Sequence, residues 1–116
     1  MDVKNDLGGG KPTLLIAEDE ESNYLLLKTI LHKYCNLIRA KTGLEALALF
    51  KENEVDLILM DIKMPEMTGI ESLKEIRKLS KDIPVIMQSA MYSTLIWKPL
   101  KKAGASGFIT KPINLK

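Results

Sequence analysis

At 116 residues the chain is one domain's worth of polypeptide, and its 46% hydrophobic and 28% charged residues can fill a core, which excludes a disordered or collagen-like protein. Seventeen Lys plus Arg against fifteen Asp plus Glu leave a net charge of +2, too small an excess for a nucleic-acid footprint. No apolar run approaches the roughly 20 residues of a membrane helix, the start lacks the apolar stretch of a secretion signal, and the lone Cys35 has no disulfide or metal-ligand partner. The expectation is a soluble cytoplasmic domain that touches neither membrane nor nucleic acid directly.

Residues 1–12 are polar and carry three successive glycines, so they read as a flexible tail or linker, with the folded domain at 13–116. Residues 13–17 (TLLIA) form an apolar run too short for a helix, stopped by the acidic cluster Glu18, Asp19, Glu20 and Glu21; this predicts a buried strand. Ser22 or Asn23 can cap a first helix, in which Tyr24, Leu27, Leu31 and Tyr34 recur at helical spacing. A second strand is predicted at 37–40, a helix over 43–53 with the stripe Leu44, Leu47 and Phe50, and a third strand at 55–60. Asp61 ends that strand. The loop 62–69 contains Pro65, and Ile70, Leu73, Ile76 and Leu79 open a third helical stripe. Strands at 84–88 and 107–110 complete the series. The helix expected between them, 94–103, contains Pro99, which lacks an amide donor, so a short or kinked helix is predicted there. Strands alternating with helices imply an α/β protein, a doubly wound five-stranded parallel sheet with helices on both faces.

In such sheets ligands sit at the carboxyl ends of the strands. Those ends carry Glu18 and Asp19, Asp61, Ser89 and Lys111. Three crowded carboxylates repel one another, and either a raised pKa on one of them or a bound divalent cation relieves that; magnesium suits the set, since it takes one or two carboxylates and shares its other positions with water and phosphate oxygens. A carboxylate beside such an ion can attack phosphorus while a lysine and a hydroxyl hold the phosphoryl oxygens.

Through IAEDE at 16–20, LILMDIKMPEMTG at 57–69, QSA at 88–90 and ITKPI at 109–113, the chain resembles the receiver domains of two-component response regulators. The resemblance implies a flavodoxin-like sheet of strand order 2-1-3-4-5. It implies that Asp61 is the phospho-acceptor, fed by a phosphohistidine on a histidine kinase or histidine phosphotransfer domain. Mg2+ would be held by Asp19, Asp61 and the backbone carbonyl of Lys63, with Glu18 acting through water. Ser89 and Lys111 would bind the phosphoryl oxygens, Ser89 and Phe108 would form the switch that alters the helix four and strand five surface, and Lys63 and Met91 would tune hydrolysis. The bulky Met91 predicts a long-lived phosphoryl group, and Lys111-Pro112 matches a position where the family often has a cis peptide. Such a domain is a signalling element, not an enzyme, assisting only its own phosphorylation and dephosphorylation.

Two departures from the family pattern bear on architecture. The sequence through Lys116 leaves no room for the family's fifth helix, so a truncated domain is expected, with one sheet face short of cover and a homodimer or partner helix as one way to supply it. Leu95, Ile96 and Trp97 stand where receivers usually carry polar residues, either as a docking patch or folded inward. The glycines at 8–10 resemble the lead-in to the C-terminal receiver of a hybrid sensor histidine kinase. Another reading is a degenerate receiver, never phosphorylated, that serves as a dimerisation or interaction module. A phosphatase-like enzyme is disfavoured because Asp61-Ile62-Lys63 lacks a general acid two residues past the aspartate.

Overall fold

Five short apolar runs become five parallel strands, and the amphipathic stretches between them become helices. The computed structural model describes residues 10–90 and 94–111. Its elements are β1 (Thr13–Ala17), α1 (Glu21–Leu31), β2 (Asn36–Ala40), α2 (Gly43–Glu52), β3 (Leu57–Asp61), α3 (Gly69–Leu79), β4 (Val85–Ser89), α4 (Thr94–Ala103) and β5 (Gly107–Thr110). All pairings are parallel, in the order β2-β1-β3-β4-β5, as expected for the flavodoxin-like arrangement. Four helices lie among the described residues. Expectations for residues 1–9 of the tail, for Met91, for the Lys111-Pro112 peptide and for the segment after it fall outside them, whereas Pro12 O accepts from the Asn36 amide at 2.8 Å.

Alternation along the strands splits the core in two. One set, Leu15, Ala17, Ile58, Met60, Val85 and Met87, packs with Ala46 and Leu47 of α2, Leu73 and Ile76 of α3, and Leu100 of α4. The other set, Leu14, Ile16 and Leu59, is met by Leu27 of α1 alone among fully buried helical residues. Beside it runs an apolar groove of about 250 Å³ whose lining includes Leu57, Ile86, Ile109, Ile30 and Cys35. The outer residues of the expected stripes do not reach either core: Tyr34 lies beyond α1, and Leu44 and Leu79 stand at helix ends, all three exposed.

Local chemistry sets the helix starts. Thr42 caps α2 by accepting from the Glu45 amide. Thr68 and Glu71 form a reciprocal capping box on α3, with Glu71 Oε1 accepting from the Thr68 amide at 2.9 Å. The expected cap of α1 is corrected: helix begins at Glu21, Glu20 takes the N-cap position without a side-chain bond, and Ser22 and Asn23 lie inside the first turn. Pro99 lies inside α4, a helix of ten residues that continues on both sides of it. Its ring is exposed, while Leu100, Ile96 and Trp97 on the other side pack against the core. Burial of those side chains, at roughly 1.5–3 kcal/mol each when complete, offsets the lost amide bond. Ile96 and Trp97 therefore fold inward, and of the three apolar residues only Leu95, at 85% exposure, faces solvent.

Candidate functional site

The register carries polar residues to one rim. Asp61 is the β-partner of Gln88, and Gln88 of Ile109, so Glu18, Asp61, Gln88 and Lys111 close the strands on the α1 face of the sheet. The ladder bonds continue past the strands, from the Glu18 amide to Ala40 O at 2.9 Å and from the Lys111 amide to Ser89 O at 2.7 Å. Carboxylate oxygens of Glu18, Asp19 and Asp61 lie within 4.8 Å of one another, the first and last buried and Asp19 exposed. Lys111 Nζ donates to Asp61 Oδ2 at 2.8 Å and lies 3.3–3.4 Å from the two oxygens of Glu18. The structure thus brings together four of the residues that the sequence singles out.

Glu18 is enclosed. Its Oε1 accepts from Asn23 Nδ2 and from Gln88 Nε2 at 3.2 Å, and its Oε2 from the Glu20 amide at 3.1 Å. Burial pushes the Glu18 carboxyl above the usual carboxylate range; the Asn23 bond works against that and the Asp61 charge adds to it. For Lys111 burial acts downward, but the hydrogen bond and charge of Asp61, joined by Glu18, outweigh it and leave the ammonium above its ordinary value. The neighbouring carboxylates divide: Glu21 pairs with Arg39, whose hydrogen bond and charge hold it below the usual range, so it takes no part in the notch. Arg39 also donates to Glu18 O and lies over the Tyr24 ring, 4.5 Å from its centroid, which fixes the turn between β1 and α1.

A cleft of about 460 Å³ opens from the notch toward α4, with Asp61, Lys63, Ser89 and Lys111 at its polar end and Ile70 and Ile96 farther in. Ser89 ends β4 on the opposite face of the sheet from Gln88, the face it shares with Phe108. Phe108 meets Trp97 edge-on, with ring centroids 6.2 Å apart at 78°. The loop after Asp61 is set by close backbone approach. A Cβ on Gly69 would come within 2.0 Å of Asp61 O, and one on Gly43 within 1.9 Å of Met67 O, so glycine is needed at both helix starts.

Asn23 and Gln88 are the two residues that sequence reasoning missed as parts of the site. Asn23 reads as a cap, and Gln88 as one letter of a motif. The one signal was a polar residue following the apolar VIM of VIMQS, where Ile86, the residue before it on the same face, is apolar.

The family model of the response regulator receiver domain matches residues 14–116. The chain belongs to this family. It is 40% identical over 103 residues to the chemotaxis protein CheY of Thermotoga maritima, covering 87% of the chain and 86% of that protein. It is 36% identical over 106 residues to the transcriptional regulatory protein ZraR of Salmonella typhimurium, covering 90% of the chain but only 24% of ZraR. Among solved structures it is similar, at a TM-score of 0.84 and 30% identity, to the receiver domain of Ssk1 from Saccharomyces cerevisiae in its co-crystal with the histidine phosphotransfer signaling protein Ypd1, over 90% of this chain and 81% of that one. A chain of the CheX-CheY-BeF3-Mg complex from Borrelia burgdorferi matches with the same TM-score at 33% identity, over 89% and 80%. This is therefore a two-component receiver, a signalling domain, and no helix among its described residues is long and apolar enough to cross a membrane.

Proposed function

We propose that this receiver accepts a phosphoryl group on Asp61 from a phosphohistidine of a cytoplasmic histidine kinase or phosphotransfer domain. The observation that carries the reading is the Lys111 ammonium 2.8 Å from Asp61 Oδ2, within a notch where three carboxylates offer oxygens inside 4.8 Å. An Asp61 oxygen forms the new bond to phosphorus, the bond from phosphorus to the histidine nitrogen breaks, and that nitrogen keeps the electron pair. Lys111 then balances charge on the phosphoryl oxygens, and the Ser89 hydroxyl donates a hydrogen bond to one of them. The co-crystal of Ssk1 with Ypd1 supports this class of partner.

The donor set suits a hard cation: carboxylate oxygens only, two of them buried and in need of countercharge beyond one lysine. Asp19, Asp61 and the carbonyl of Lys63 would hold Mg2+, with Glu18 behind them, and the ion would neutralise charge on the transferring group. Ser89 and Phe108 would carry the response toward α4, and Lys63 with Met91 would govern water entry. Met91 is outside the described residues, and its effect on lifetime rests on sequence alone.

Purified chain incubated with acetyl phosphate and Mg2+ is expected to gain the mass of one phosphoryl group. The gain should disappear in Asp61→Asn and in excess EDTA. A variant lacking Asp61 that still becomes phosphorylated would overturn the assignment.

A further inference from the structure

Gln88 is a fully buried carboxamide in a strand whose neighbours are mostly apolar. One end of it donates to Glu18 Oε1 at 3.2 Å, while its Oε1 has no hydrogen-bond partner among the described residues. An unpaired buried carbonyl is unfavourable, and an apolar side chain of the same shape would avoid it. The reason for a carboxamide here therefore lies in the bond its other end makes. Its sense is dictated by Glu18: turned over, it would set two acceptors against each other, so Nε2 faces the carboxylate. Asn23 of α1 reaches the same oxygen, so Glu18 Oε1 is gripped from two elements and its torsions are fixed.

We propose that Gln88 is a positioning residue for a divalent cation in the acidic notch, acting through Glu18 and not touching the ion. The inference rests on reading the notch as a magnesium site. An amide donor suits the task because it stabilises the carboxylate without placing a positive charge beside the cation. Lys111, the charged donor to Glu18, does bring such a charge.

The test uses Gln88→Met, which keeps length and shape but removes the donor. Mg2+ is titrated into wild type and variant by ¹H-¹⁵N NMR, and thermal unfolding is recorded in EDTA. The Mg2+ Kd is expected to rise about fivefold, short of the roughly tenfold or more for groups bonded to a direct metal ligand, because Glu18 reaches the ion through water. Tm in EDTA should not fall, because the unpaired acceptor leaves with the donor. In a Glu18→Gln background the same substitution should change Kd by less than about twofold, since its effect runs through Glu18. Gln88→Leu, a second apolar replacement, is expected to give the same pattern. An unaltered Kd in Gln88→Met, an undiminished effect in the Glu18→Gln background, or an affinity loss matched by a fall in Tm would overturn the proposal. Wild type that shows no Mg2+ binding would overturn the metal reading together with it, whereas wild type that binds while Gln88→Met binds equally well removes this inference alone.

Discussion

Lys111 holds a narrow balance: burial disfavours its charge, yet the Asp61 bond at 2.8 Å and the nearby Glu18 keep it protonated. Because its folded value lies above the ordinary one, its contribution to stability is complete below about pH 10.5 and is lost as pH rises through the folded value. Removal of the ammonium by Lys111→Met is expected to slow acetyl-phosphate labelling of Asp61 by about 10²-fold, the scale for losing one preorganised charge donor. Mg2+ binding, measured by the same titration, should persist, since the variant has one positive charge fewer in the notch. At this scale Glu18, Asp19, Asp61 and Lys111 were legible because charged residues directly after apolar runs stand at strand ends. Asn23 and Gln88 were not, because a carboxamide at a helix start or strand end has an ordinary local reading. Only their convergence on one buried oxygen gives them a different one.

Helix starts and interruptions show where local rules compete with packing. The Thr68 and Glu71 box is a sequence signature that the Pro65 and Gly69 breakers obscured, since they made the whole stretch read as loop. Glu71 is held below the usual carboxylate range, first by the Thr68 amide and then by its side chain. The stability it supplies is therefore present above about pH 4.5 and is lost as pH falls through its lower folded value. Thermal unfolding of wild type and Glu71→Gln should accordingly converge in acid and separate toward neutrality. Pro99 is intrinsically unfavourable in a helix interior, but the buried Leu100 and its neighbours override that preference. Pro99→Ala restores an amide donor on an exposed face, and Tm is expected to rise by an amount corresponding to about 1 kcal/mol or more. An unchanged or lower Tm would show that the proline matches a backbone bend that this helix requires.

Among the described residues the two sides of the sheet are unequally covered. The strand order was legible from the alternation of strands and helices together with the family motifs, with no residue-level detail required. Which face keeps a groove was less legible, because it depends on what covers β3, β4 and β5 once α1 is in place. Leu27 is the fully buried helical anchor of the thinner side, so Leu27→Ala should cost about 2–5 kcal/mol in denaturant unfolding, whereas Leu95→Ala should stay within about 0.5 kcal/mol. Backbone meets backbone at Gly69 against Asp61 and at Gly43 against Met67, leaving no room for a side chain at either helix start. Ser89 and Phe108, toward α4, are half-buried, and Phe108 meets the Trp97 side chain edge-on. A side chain at either glycine would have to displace the backbone on which the Asp61 loop rests, so that loop tolerates no Cβ where α2 and α3 begin.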